Sequence, residues 1–261
     1  LKINMTKKYW TIDSLGEFEI RDLEREDKNF SWQKFWDGEL DAYNYMYKEN
    51  FNHYVSDDNG CDYERYGCHI KEGDVVLDIG ANIGLFANRA LDRGASKVIC
   101  FEPMSMTFEC LNRNVNDKVI TYKNAVGGNS GYDTFLIHTD FTNLGGGTTN
   151  NQDLQSTNKK IIHQENVFKV GINDIFSLYN KSIDFMKIDI EGGEVEVLGN
   201  ITDDNLNSLR CLAAEFHKTY NEFNEFQDKF WERMMRLGFR GYILYHGSDD
   251  GLLRTLNFWK E

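Results

Sequence analysis

The chain has 261 residues, 41% of them hydrophobic and 14% aromatic, enough for one large core or two modest ones, which excludes disorder along its whole length. Its 29 basic and 42 acidic residues leave a net charge of −13, a field that repels phosphate polymers and anionic membranes and handicaps a nucleic-acid substrate. No run reaches the roughly eighteen apolar residues of a spanning helix, and LKINMTKKYW lacks the apolar stretch of a secretion signal, so a cytoplasmic protein without a membrane partner is expected.

The first residue is Leu1, and the native start is expected at Met5 or upstream of the sequence. Residues 1–70 are rich in aromatic and charged side chains, and Trp36, Leu40, Tyr43 and Tyr47 recur at helical spacing. They read as an N-terminal helical cap bordering the substrate, ahead of a catalytic domain over 71–261. From Val75 the runs VVLDIG, KVICFE, VITYKN, IDFMKIDI and CLAAEF alternate with helical stretches such as Ile83–Asp92 and Met104–Asn116. This alternation predicts an α/β fold with a parallel sheet covered by helices on both faces. Ligands then bind at the carboxyl ends of the strands.

Between Tyr132 and Asp174 the rhythm breaks. TFLIH and VFKVG read as strands, and the polar Gly/Asn/Thr-rich stretch between them is longer than a connection needs, as a mobile loop over the site would be. Phe223, Phe226, Phe230, Met234 and Leu237 mark one apolar helix face, and FRGYILYH and LLRTLNFWK around GSDDG predict an antiparallel hairpin at the sheet edge. The five cysteines, Cys61, Cys68, Cys100, Cys110 and Cys211, lack zinc-site spacing and read as buried free thiols.

The sharpest local feature is GDVVLDIGANIGLFA, an apolar strand ending in Asp78, a glycine turn and a helix start. Gly80 allows a tight turn and Gly84 a close packing of helix and strand. Asn82 stands where the dinucleotide fingerprint has its second glycine, which disfavours a pyrophosphate and favours an amino acid and nucleoside. Asp78 suits a cationic amine such as that of S-adenosylmethionine. Glu102, at the end of the next strand, can accept both hydroxyls of a ribose. The third strand is expected to end at Asn124 and Ala125, where an amide side chain and a backbone amide could read an adenine edge.

VVLDIGANIGLFA, KVICFEPMSMTFECLNRNV, NAVGG and IDFMKIDIEGGEVEVLGN together resemble the FkbM family of class I S-adenosylmethionine-dependent methyltransferases. The resemblance covers roughly Gly73 to Phe216. It implies a Rossmann-like, seven-stranded, mostly parallel sheet, a cofactor over the first two strands, and O-methylation of a sugar, polyketide or other metabolite.

In IDFMKIDIEGGE, Lys187, Asp189 and Glu191 alternate with Met186, Ile188 and Ile190, placing three charges on one side of a strand. Burying such a trio is costly unless it is paired or used. Lys187 is read either as neutralising the acids or as part of the catalytic set, and Asp189 as functional. CLAAEFHKT places Glu215 and His217 on one face of the neighbouring strand. Asp189, Glu191 and His217 are candidates for removing the acceptor's proton, or alternatively for holding Mg2+. The rival readings are an RNA methyltransferase, for which Lys229, Arg233, Arg236 and Arg240 form a modest basic cluster, a catalytically silent cofactor-binding scaffold, and a nicotinamide dehydrogenase.

Overall fold

A computed structural model describes residues 61–138, 147–148, 161–217, 223–246 and 253–261. The expected helix at Trp36–Tyr47, most of the polar stretch 139–160 and the GSDDG turn lie outside these residues.

In chain order, β1 (Val75–Ile79), α1 (Leu85–Asp92), β2 (Lys97–Phe101), α2 (Ser105–Asn114) and β3 (Val119–Tyr122) come first. The strands β4 (Ala125–Gly127), β5 (Gly131–His138), β6 (Gly147–Thr148) and β7 (Ile161–Gly171) follow, then α3 (Ile172–Leu178) and β8 (Phe185–Ile188). The chain continues with α4 (Glu194–Asn200), α5 (Asp203–Ser208), β9 (Cys211–His217), α6 (Phe223–Arg236), β10 (Arg240–His246) and β11 (Leu253–Trp259). Seven strands form one sheet in the order β10-β11-β9-β8-β1-β2-β3, parallel except for β11, which runs antiparallel to both neighbours. This is the Rossmann-like, seven-stranded, mostly parallel sheet that the resemblance implied. Among the described residues no helix is long and apolar enough to cross a membrane.

The period of two along each strand divides the core between the faces of the sheet. Leu77, Ile99, Met186 and Leu212 meet Phe176, Leu198, Phe230 and Met234 on one face. Val76, Val98, Phe185 and Ala213 meet Phe86 and Ala90 of α1 on the other, joined by Cys61, Tyr63, Cys68 and Ile70. Each fully buried large side chain contributes about 1.5–3 kcal/mol. Residues 61–70 thus share the core of the sheet although they contain no helix. Cys61, Cys68, Cys100 and Cys211 are buried free thiols.

Two strand ends differ from expectation. β3 stops at Tyr122, and the next segment leaves for a second sheet of order β4-β7-β5-β6. β8 stops at Ile188, so Asp189 and Glu191 stand past the strand rather than on it, with Glu191 at φ 53°.

Candidate active site

Strand order reverses at β1: the chain proceeds to β2 on one side, while β8 pairs on the other. In an open α/β sheet such a reversal opens a crevice at the carboxyl ends of the strands. Gly80 lies there at φ 78°, and its backbone N–H donates to the Phe101 carbonyl at 3.0 Å. A Cβ on Gly80 would fall 1.8 Å from the Asp189 carbonyl oxygen, so glycine is required by both its φ and the approach of the segment after β8. Asn82 adopts φ 48°, a conformation asparagine tolerates. Gly84, at φ 93°, makes room for α2 rather than for a strand: a Cβ there would lie 2.9 Å from Leu111 Cδ1.

Asp78 and Lys187 are register partners on β1 and β8, both buried. Lys187 Nζ lies 3.4 Å from Asp78 Oδ1 and 3.6 Å from Asp189 Oδ2, and it donates to the Gly80 carbonyl at 2.8 Å. Burial alone would lower the pKa of Lys187, but Asp78, Asp189 and Glu215 raise it above 10.5. It is an ammonium that offsets buried acids, not a proton acceptor. Burial pushes the Asp78 carboxyl above its ordinary value despite Lys187, and among the described residues neither of its oxygens has a close hydrogen-bond donor. Lys187 is the cation beside Asp78 in this structure, a partner that the sequence reading of Asp78 as the site of a ligand amine did not include.

Glu102 stands just past β2 and is almost wholly buried. Its Oε1 accepts from Met104 N–H at 3.0 Å and Thr107 Oγ1 at 2.7 Å, and its Oε2 from Asn82 N–H at 2.9 Å. A carboxylate offers about four acceptor positions. Three are filled, which leaves room for one hydroxyl rather than the two expected. Burial raises its pKa, the donors Thr107, Met104 and Asn82 opposing it. Asn124 ends no strand; its Nδ2 donates to the Phe168 carbonyl at 3.0 Å, and Ala125 begins β4, paired with Lys169. Both serve the junction between the two sheets.

At the carboxyl ends of β8 and β9 the acids gather. The buried Tyr63 hydroxyl lies 3.0 Å from Asp189 Oδ2 and also hydrogen-bonds Glu215 Oε2. His217 Nδ1 is 3.1 Å from Glu194 Oε1, and its Nε2 is 3.4 Å from Glu191 Oε2 and 3.8 Å from Glu215 Oε1. Burial would lower the His217 pKa, yet Glu191, Glu194 and Glu215 raise it well above 6.5. The three acids favour the charged form of the ring, which makes it a charge partner of theirs and weakens it as a general base. Glu194, buried at the start of α4, accepts from the Ile190 and Gly192 N–H groups and so fixes the glycine turn after β8.

Among the described residues, Asp189, Glu215 and His217 have ligand atoms within 4.8 Å of one another, as a shared divalent cation would need. Glu191 of the expected trio lies beside His217, its Oε2 3.4 Å from Nε2, and Glu215 stands with the other two. Sequence reasoning also passed over Tyr63 and Thr107. Tyr63 lies in a turn with no period to mark it.

Residues 78–244, more than half of the chain, match the methyltransferase FkbM domain. The chain belongs to this family and is a methyltransferase, acting on an acceptor substrate. It is 26% identical over 203 residues to the methyltransferase sdnD of Sordaria araneosa, covering 66% of this chain and 73% of that protein. It is 28% identical over 181 residues to the 31-O-demethyl-FK506 methyltransferase FkbM of Streptomyces tacrolimicus, covering 59% and 70%. Among solved structures, Aeropyrum pernix fibrillarin with natively bound S-adenosyl-L-methionine is similar at a TM-score of 0.40 and 12% identity, covering 74% of this chain and 69% of that one.

Proposed function

We propose that the chain is an S-adenosylmethionine-dependent O-methyltransferase whose acceptor is a hydroxyl of a small molecule or glycan, such as a sugar or polyketide. The observation that carries this reading is Asp189. It is a carboxylate one residue past β8, its side chain 20% exposed, with the Lys187 ammonium and the Tyr63 hydroxyl beside it. When bound, S-adenosylmethionine supplies the electrophilic methyl group.

The chain's own residues have the remaining tasks: holding the nucleoside, orienting the acceptor oxygen and taking its proton. Glu102 accepts one ribose hydroxyl at its remaining position. The turn from Gly80 to Gly84, with Asn82, brings backbone rather than side chains to the ligand. Asn124 and Ala125 flank the base, with the Asn124 carbonyl oxygen as acceptor for an exocyclic amine. Asp189 takes the hydroxyl proton, while Lys187 and the imidazolium of His217 limit the repulsion among Asp189, Glu191 and Glu215. A resemblance to a relative named for 31-O-methylation supports a hydroxyl acceptor.

Each of the four basic residues in the cluster that would favour RNA lies beside an acid. Lys229 lies 2.6 Å from Glu225, Arg233 2.6 Å and Arg236 3.8 Å from Asp203, and Arg240 2.6 Å from Glu261. RNA binding calls for unpaired cations along a groove.

Two measurements test the reading. Calorimetric titration should give binding of S-adenosylhomocysteine and none of NAD. Transfer of a labelled methyl group across sugar, polyketide and RNA acceptors should label a hydroxyl of the first two classes. Labelling of RNA alone would overturn the acceptor class, and cofactor binding with no transfer to any acceptor would favour a silent scaffold.

A further inference from the structure

We propose that Tyr63 is a positioning residue of the methyl-transfer site, cross-bracing the Asp189 and Glu215 carboxylates so that Asp189 faces the reacting oxygen. The inference rests on the reading of Asp189 given above.

Asp189 and Glu215 belong to the carboxyl ends of neighbouring strands, and as like charges they repel. The Tyr63 hydroxyl lies within hydrogen-bond distance of one oxygen of each, and its single proton is shared between the two acceptors. A phenol placed there gives the two carboxylates a common donor, which offsets part of their repulsion and orients the Asp189 side chain. The ring is itself fixed. It packs edge-on against Phe86 with centroids 5.7 Å apart and lies 5.3 Å from Lys187 Nζ, within cation–π range.

The backbone that carries Tyr63 is anchored on both sides. Glu64 is ion-paired with Arg89 of α1, and the Asp62 carbonyl accepts from Asn257 Nδ2 of β11 at 2.9 Å. The segment that presents Tyr63 to the strand ends is therefore held by two separate elements, α1 and β11. A tyrosine needed only for packing could be phenylalanine, since the apolar contacts are made by the ring.

The test needs no known acceptor. Sinefungin carries an amine-bearing carbon where S-adenosylmethionine carries its methyl sulfonium, so its preference over S-adenosylhomocysteine reports a carboxylate beside the transferred methyl. Both ligands are titrated into wild type, Tyr63→Phe, Asp189→Asn and the double variant. The wild type should prefer sinefungin by about tenfold, the worth of one charge-assisted hydrogen bond, and Asp189→Asn should lose that preference. Tyr63→Phe should lose about threefold or more of it with unchanged affinity for S-adenosylhomocysteine, and the double variant should match Asp189→Asn, as expected for residues acting as a unit. Loss of packing alone would weaken both ligands alike.

Full preference in Tyr63→Phe, beside its loss in Asp189→Asn, would overturn the role of Tyr63 and leave that of Asp189 standing. A preference that survives Asp189→Asn, or that the wild type lacks, would overturn the reading of Asp189 and this inference with it. Should Tyr63→Phe not fold, site-specific fluorotyrosine at position 63 keeps ring and hydroxyl but strengthens the donor. A changed preference then supports the brace and an unchanged one contradicts it.

Discussion

Asp78 and Lys187 oppose each other on β1 and β8, both fully buried, with Nζ 3.4 Å from Oδ1. The Asp78 charge is offset by Lys187, and the Lys187 charge by Asp78 together with Asp189 and the Gly80 carbonyl. Removing one partner of a buried pair costs about 3–5 kcal/mol, whereas replacing both by apolar residues is often neutral. Lys187→Met is therefore expected to lower the urea midpoint sharply, and Asp78→Leu added to it to restore most of the loss. A Lys187→Met variant as stable as wild type would contradict the pairing.

Glu102→Gln is the milder variant, because its amide oxygen can still accept from Met104 and Thr107 and only the Asn82 N–H loses its acceptor, whereas alanine would strand all three donors. Loss of a charge-assisted hydrogen bond, about 1.5–3 kcal/mol, is expected to weaken S-adenosylhomocysteine binding tenfold or more. Titration calorimetry on the folded variant measures it; wild-type affinity would remove the ribose contact.

The same carboxyl gives a pH dependence. Its pKa is raised above the ordinary 4.5, chiefly by burial. The ionised form makes the stronger contact, so affinity for S-adenosylhomocysteine should rise with pH through that raised pKa and fall on acidification. Glu102→Gln should flatten this limb. Identical pH profiles for the two proteins would assign the dependence to another group.

Gly80 and Gly73 both have positive φ, but their surroundings differ. A Cβ at Gly80 meets the Asp189 carbonyl oxygen at 1.8 Å, whereas at Gly73 nothing lies within 4 Å. Gly73→Ala should cost about 1–2 kcal/mol from backbone strain alone. Gly80→Ala should cost more, since backbone must move at the crevice. Equal melting temperatures for the two variants would contradict the close approach.

Much of this arrangement is legible in the sequence. The runs from VVLDIG to CLAAEF are apolar at consecutive positions, and only a sheet covered on both faces buries them. The glycine turn and Glu102 follow from where those runs stop. The strand ends are less legible, because β3 ends where β4 is captured by β7, a partner far along the chain. The sequence leaves Lys187 open between a structural and a catalytic role, and its distances to Asp78 and the Gly80 carbonyl favour the structural one. Tyr63 was hidden because its partners Asp189 and Glu215 are 126 and 152 positions away, and no local period marks such a contact. The protonation of His217 likewise depends on three acids from different positions around it.

In the proposed reaction the carboxylate of Asp189 takes the proton from the acceptor hydroxyl. Asp189→Asn keeps size and most hydrogen bonding but removes the charge. The most direct measurement is the single-turnover rate of labelled methyl transfer from S-adenosylmethionine to the acceptor found in the panel, in wild type and Asp189→Asn, with S-adenosylhomocysteine affinity as control for the fold. The rate is expected to fall by about two orders of magnitude or more, the scale of a lost acid–base group, at unchanged affinity. A folded Asp189→Asn variant that transfers the methyl group at the wild-type rate would contradict the claim and leave Asp189 as a structural partner of Lys187 and Tyr63.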